Sequence, residues 1–68
     1  MNFNERLKKI RTERGLSLDA LAVEVGITKQ AIHKYEKGFM SPQPPVLAEI
    51  ARVLGVTTDY LCGLTDEQ

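Results

Sequence analysis

The sequence predicts an all-α fold of five short helices in a single small domain. Apolar residues recur at helical spacing along the chain, and no stretch alternates apolar and polar residues long enough to predict a β-sheet. Glycines separate the apolar patterns at short intervals, as expected where helices end. The 68 residues include one Cys and one His, which excludes an internal disulfide and a four-ligand zinc site. We therefore expect helix packing to hold residues 1–68 together.

The composition limits the classes of protein to which this chain can belong. Hydrophobic residues make up 43% and charged residues 26% of the chain, which is typical of a globular domain and not of a disordered one. No apolar run is long enough to span a membrane, and the chain does not start with a signal-peptide pattern. We therefore expect a cytoplasmic protein in which Cys62 is reduced.

The first helix is predicted to begin after an N-cap at Asn4 and to run to about Arg14. Gly15 follows, and glycine readily adopts the left-handed conformation that ends a helix. One face of this helix is apolar and should pack on the core. Its apolar residues are Phe3, Leu7 and Ile10.

The second and third helices are joined by only three residues, Gly26-Ile27-Thr28. Ser17 and Thr28 are the predicted N-caps of the two helices, and Gly26 and Gly38 are their predicted ends. Because the connection is too short for relaxed antiparallel packing, the helices should cross steeply, as in a helix-turn-helix. The core-facing residues are Leu18, Leu21, Ala22 and Val25 in the second helix and Ala31, Ile32 and Tyr35 in the third.

The fourth helix is predicted to begin at Pro44, because the first helical turn needs no backbone donor, and to end at Gly55. Thr57 caps a short fifth helix that ends at Gly63. Residues 65–68 are expected to form a frayed tail, so that the folded core covers about residues 4–63. The apolar stripes are Leu47, Ile50, Ala51 and Leu54 in the fourth helix and Tyr60 and Leu61 in the fifth.

Charge is distributed unevenly along a chain whose net charge is zero. Residues 1–38 carry eight Lys and Arg against five Asp and Glu, whereas residues 39–68 carry one against four. A basic half next to an acidic half indicates a polyanion site on one face. An ordinary solvated charge pattern is the alternative.

The exposed face of the third helix favours the first of these interpretations, a site for a polyanion. It carries no Asp or Glu, whereas an ordinary solvent-exposed helix face mixes positive and negative residues, so that side chains four positions apart can pair. Lysine suits the acceptors of guanine, and glutamine suits adenine. We therefore expect this face to contact DNA rather than solvent alone. Its residues are Lys29, Gln30, His33, Lys34 and Lys37.

Arg11 and Glu36 are a second group of residues with a predicted role. Arg11 falls inside the apolar stripe of the first helix, where a cation must find an anion. Glu36 lies beside the core stripe of the third helix and is the only acid in that segment. We expect a buried bidentate pair that joins the first helix to the third. The alternative is that both side chains extend to water.

A run of fixed spacing covers the first three helices and the loop after them: Arg11-x3-Gly15-Leu16-Ser17-x3-Leu21-Ala22-x3-Gly26-Ile27-Thr28-x3-Ile32-x2-Tyr35-Glu36-x-Gly38-x3-Pro42. It resembles the Cro and phage-repressor helix-turn-helix family, also called the xenobiotic-response-element type, and the last two helices match as well. The resemblance covers about residues 4–63. It implies a lambda-repressor-like fold and a transcriptional regulator, which we expect to be a repressor, that binds a double-stranded DNA operator.

The resemblance also implies roles for individual residues. The base-reading positions fall on Lys29, Gln30, His33 and Lys34, the phosphate-contacting positions fall on Ser17, Thr28, Lys37, Ser41 and Gln43, and the internal ion pair falls on Arg11 and Glu36.

The chain departs from the family pattern at two places. Leu18 replaces a polar residue that often starts the second helix, which removes a possible DNA donor. Phe39 and Met40 are apolar where relatives often carry basic residues. These two side chains either fold back onto the fourth helix or contact a protein partner.

A homodimer is expected because one small domain reads too few base pairs to be selective. Two copies would read half-sites about one helical turn apart. Leu61 should point inward, whereas Val53, Tyr60 and Leu64 should be available to a second copy. The interface would be small, so we expect pairing mainly on DNA.

The sequence also leaves another class of function open. The chain could be an antitoxin or the N-terminal interaction module of a larger regulator. An enzyme is not expected, because His33, Cys62, Ser17 and Ser41 lie on separate elements and no nucleophile has an adjacent base. We expect no metal and no cofactor.

Overall fold

A computed structural model describes all 68 residues, which form five α-helices and no β-strand. The all-α prediction is confirmed. None of the helices combines the length and the apolar character that crossing a bilayer requires. The helices are α1 (Phe3–Glu13), α2 (Leu18–Val25), α3 (Lys29–Lys37), α4 (Pro44–Leu54) and α5 (Thr58–Leu61).

The start of α1 corrects the predicted cap at Asn4. Asn2 is the N-cap, and its side-chain oxygen accepts from the Glu5 backbone N–H at 3.0 Å. The Glu5 carboxylate accepts in return from the Asn2 backbone N–H at 3.2 Å. This reciprocal capping box needs an acid three residues after the cap, which Asn2 has and Asn4 lacks.

The helix-turn-helix is formed by α2, a three-residue turn and α3. Ser17 Oγ accepts from the Ala20 backbone N–H at 3.0 Å, and Thr28 Oγ1 accepts from the Ala31 N–H at 3.2 Å. Gly26 has a φ of 87°, which a residue with a side chain rarely adopts. The predicted caps and end of this unit are therefore confirmed.

The core lies between all five helices. α2 packs against α3 and α4, α1 packs against α3 and α5, and α4 packs against α5. Because α3 is held from two sides by α1 and α2, its remaining face is turned away from the core. The most deeply buried apolar residues are Leu7, Ile10, Leu21, Ile32, Ile50, Leu54, Tyr60 and Leu61.

The loop after α3 approaches the start of α1 closely. Gly38 has a φ of 80°, and a Cβ atom built there would lie 2.6 Å from Nδ2 of Asn4. The positive φ favours glycine at this position, whereas the Asn4 amide is the end of a flexible side chain that can move away from an added Cβ atom. Asn4 lies inside the helix and borders this loop.

Residues 65–68, predicted to form a frayed tail, make contacts with α1 and with the turn before α5. Arg6 donates to the Thr65 carbonyl at 3.3 Å and to the Asp66 carboxylate at 3.2 Å. The Gln68 carbonyl accepts from the Thr57 backbone N–H at 3.0 Å. These contacts give the tail partners that lie far away in the sequence.

The prediction that Tyr60 is available to a second copy is wrong, because its side chain is only 2% exposed. The Arg6 guanidinium covers its ring at 4.2 Å from the centroid, a cation–π contact. Burial raises the pKa of Tyr60, but the donors of Arg6 and Lys9 outweigh burial and hold the pKa below its ordinary value. The tyrosine belongs to the core.

Candidate nucleic-acid interface

The four predicted base-reading residues lie together on the outer face of α3. Lys29, Gln30, His33 and Lys34 are exposed and line one open concavity of about 290 Å³. The fifth residue of this concavity is Leu18 at the start of α2. The arrangement follows from α3, which buries Ile32 and Tyr35 and so turns the opposite side chains outward.

A second concavity, of about 180 Å³, adjoins the first between α1 and α3. His33 and Leu18 line both concavities, and Lys37 lines the second. Lys8 of α1 lines it as well, a residue that the sequence did not single out. The available signal was its position three residues before Arg11, which places both on the α1 face that meets α3.

This surface is positively charged and not neutralised within the protein. Lys8, Lys34 and Lys37 form no salt bridge. Lys29 approaches Asp19 only to 3.9 Å, and both side chains are at least half exposed. Such an exposed pair adds little to stability, so Lys29 is free to exchange its partner for a phosphate or a base.

Arg11 and Glu36 form the predicted bidentate pair. Arg11 Nε donates to Glu36 Oε2 at 2.6 Å, and Nη2 donates to Oε1 at 3.1 Å. The third donor, Nη1, reaches the Leu16 carbonyl at 2.7 Å. The two side chains are 10% and 6% exposed. The pair therefore fixes α3 relative to α1 and to the turn before α2, and it neutralises the acid that α3 carries beside the cationic surface.

Ser17 and Thr28 sit at the N-termini of α2 and α3. Each hydroxyl oxygen accepts a backbone N–H of its own helix, which leaves its O–H proton free to donate outward. The first backbone N–H groups of a helix also point outward and favour an anion. Both hydroxyls are thus able to donate to an acceptor outside the protein.

Ser41 and Gln43, the other two predicted phosphate contacts, follow α3 in the chain. Ser41 lines a different concavity, beside Phe3 and Cys62. Gln43 is the N-cap of α4 and is exposed, with no side-chain capping bond. Neither residue lines the two concavities beside α3.

Phe39 and Met40 are both exposed, and Phe39 does not fold back onto α4. Phe39 is 76% exposed and Met40 is 42% exposed. The Phe39 backbone N–H donates to the Lys34 carbonyl at 2.9 Å and continues the end of α3, so the ring is directed outward. The fold-back alternative is therefore wrong for Phe39.

The residues predicted for a dimer interface do not share one concavity. Val53 is half-buried beside Ala20 and Val23 of α2. Tyr60 is buried under Arg6, whereas Leu64 is 76% exposed. No group of three or more His, Cys, Asp or Glu side chains converges in a way that could hold a metal ion.

Comparison with known proteins identifies relatives of this chain. A family model described as helix-turn-helix matches residues 7–61. The SPbeta prophage-derived HTH-type transcriptional regulator YonR of Bacillus subtilis is 44% identical over 66 residues, which cover 97% of this chain and 61% of YonR. Two other regulators from the same organism are covered over 58% and 51% of their length, so the chain spans a little over half of these curated relatives.

Solved structures match the fold over most of the chain. The P22 c2 repressor in complex with a synthetic operator superposes with a TM-score of 0.88 and 26% identity, covering 91% of this chain and 94% of that one. The biofilm regulator SinR in complex with DNA superposes with a TM-score of 0.82 and 30% identity, covering 87% of this chain and 95% of that one.

Proposed function

The chain belongs to the helix-turn-helix family, whose model spans residues 7–61, and from that membership we propose that it is a sequence-specific regulator of transcription that binds a double-stranded DNA operator. One observation carries the proposal: four exposed side chains suited to base edges line one concavity on an α3 face that has no acid. The names of the relatives agree, since they are transcriptional regulators. The site of action is the cytoplasm.

We propose that α3 enters the major groove, which is wide enough for a helix with its side chains. Lysine donors suit guanine O6 and N7, and the Gln30 amide suits adenine N6 and N7. Lys29, His33 and Lys34 are the other base readers. Together they would read one short half-site.

Phosphate contacts would surround this helix. Lys8 and Lys37 lie on the α1 side of α3, and Ser17 and Thr28 lie at the N-termini of α2 and α3. These contacts position the protein without reading sequence. Ser41 and Gln43 stay predictions, since neither residue lines the concavities beside α3.

The test is selection of bound sequences from a random DNA pool, first with the wild type and then with Gln30→Ala. We expect the variant to lose about 1–3 kcal/mol at one base pair and to accept other bases there. Lys37→Ala is the matched control on the same helix and should weaken all sequences alike. An unchanged preferred sequence for Gln30→Ala would remove this residue from the base readers.

We further propose that the regulator is a repressor, as the structurally similar P22 c2 protein is named. A repressor bound across a promoter excludes the transcription machinery. The selected site is placed over a reporter promoter, and expression should fall when the protein is produced. Raised expression would identify an activator instead.

A homodimer on DNA is proposed from the need for a longer site. Leu64 is the exposed apolar residue of the α5 end and carries the proposal, whereas Tyr60 is excluded by its burial. Val53 remains a candidate at the edge of α4. Leu64→Glu should abolish cooperative binding to a palindromic site and leave affinity for a single half-site unchanged. Unchanged cooperativity would reject Leu64 as a dimer contact.

A second candidate function is the DNA-binding module of a longer regulator or an antitoxin. Two observations favour it. The chain covers only part of the length of its curated relatives, and Phe39 and Met40 are exposed. Replacing both residues by serine should reduce repression in cells without changing DNA affinity if a protein partner binds there. Equal repression would reject a partner at this loop.

A further inference from the structure

Leu18 occupies an unusual place in the cationic surface. It is the first residue of α2, directly after the N-cap Ser17. It lines both concavities beside α3, and in each it is the only apolar residue among charged and polar ones. An apolar side chain thus stands at the centre of the face that the proposed function assigns to DNA.

The position of Leu18 is fixed from behind. One side of the residue packs against the core, so it is half-buried rather than free in solvent. The turn that carries it is held by the Ser17 hydroxyl on the Ala20 N–H at 3.0 Å and by the Ser17 carbonyl on the Leu21 N–H at 3.0 Å. The remaining surface of Leu18 faces the concavities and is preorganised for a contact.

The major groove offers one apolar group to such a surface. Each base edge presents hydrogen-bond donors or acceptors there, but thymine alone adds a 5-methyl group. The polar neighbours of Leu18 can pair with acceptors and donors, yet none of them is suited to a methyl. Gln30 lines the same concavity and suits adenine, the base that pairs with thymine.

We propose that Leu18 reads the 5-methyl group of a thymine, in the A·T pair bound by Gln30 or the pair next to it. The inference rests on the proposed function and adds a specificity determinant to it. Where a polar residue would donate a hydrogen bond, Leu18 removes methyl surface from water. The contact selects thymine over cytosine at one position of each half-site.

The test replaces each thymine of the selected operator, one at a time, by deoxyuridine, which differs only by the missing methyl group. Wild-type protein should lose about fourfold in affinity at one position per half-site, the effect of one buried methyl group. Leu18→Ala and Leu18→Gln should bind the thymine and deoxyuridine operators equally. Leu18→Met should keep most of the difference, since it retains an apolar surface of similar size.

Val25→Ala is the matched control. Val25 lies on the same helix, is also half-buried against the core, and lines neither concavity beside α3. It should change stability without changing the thymine-to-deoxyuridine ratio. If no thymine of the operator responds to deoxyuridine, or if the response persists in Leu18→Ala, Leu18 only closes the edge of the core. If the wild type selects no sequence at all, the proposed function fails as well.

Discussion

The cations beside α3 and those beside the C-terminal segment carry the same charge but are held differently. Lys8, Lys34 and Lys37 form no salt bridge. Arg6 donates to a carbonyl and a carboxylate of residues 65–68, and Arg14 donates to the Leu54 carbonyl at 3.0 Å. One region leaves its cations free, and the other uses them as links between chain segments.

The difference shows how one chain with no net charge separates folding from binding. Arginine presents several donors in a fixed plane and can join a carbonyl and a carboxylate at once, as Arg6 does. Lysine is a flexible point charge that contacts a phosphate without fixing geometry. Arg6, Arg11 and Arg14 link segments of the chain, whereas the lysines around α3 remain free for an outside anion.

The largest effect is expected where the two kinds of cation meet, at Arg11. Arg11→Met should lower the free energy of unfolding by about 3–5 kcal/mol, because Glu36 is left buried without its partner. The double variant with Glu36→Leu should recover much of the loss. Denaturant unfolding followed by circular dichroism measures both, and an unchanged midpoint for Arg11→Met would contradict the structural role.

An intermediate effect should separate two adjacent lysines of α1. Lys8→Ala should reduce the slope of log affinity against log salt by about one, because one phosphate contact is lost. Lys9→Ala is the matched control, since Lys9 is paired with Glu13 at 2.9 Å. Fluorescence anisotropy at several salt concentrations measures the slopes. Equal slopes for the two variants would show that Lys8 does not contact DNA.

The smallest effect concerns the exposed pair of Glu49 and Arg52 on α4. Hydrogen bonding to Arg52 holds the pKa of Glu49 below its ordinary value. A carboxylate with a lowered pKa stabilises the folded state above the unfolded pKa of about 4.3. That contribution is lost as pH falls through the folded pKa.

The thermal midpoint of Glu49→Gln should therefore lie slightly below that of the wild type at neutral pH. The gap should close in the acidic range, below about pH 4. DNA affinity should not change, because Glu49 lies on α4 and lines neither concavity beside α3. A gap that persists at low pH would assign the effect to packing instead of charge.

The helix-turn-helix could be predicted from the sequence because its signals are local. An N-cap, a terminal glycine and an apolar stripe all act within a few residues. The pair of Arg11 and Glu36 was also predictable, since each charge interrupts an otherwise apolar stripe. The start of α1 was misplaced because two asparagines offer the same cap, and only the acid at Glu5 distinguishes them.

The error at Tyr60 has a long-range cause. Tyr60 is covered by Arg6, which comes from the other end of the chain and also binds Asp66. Periodicity within a helix does not report such a contact. Lys8 lies on the same α1 face as Arg11, but its place beside His33 and Lys37 depends on how α1 crosses α3.

The contacts of Arg6 also bring the two ends of the chain side by side. They join residues 59 and 60 positions apart, and Met1 and Gln68 line the same concavity. Folding thus closes nearly the whole chain into a ring, and the entropy of that closure grows only slowly with its length. A short linker between the ends should give a circular permutant whose new termini open in the exposed loop around Phe39.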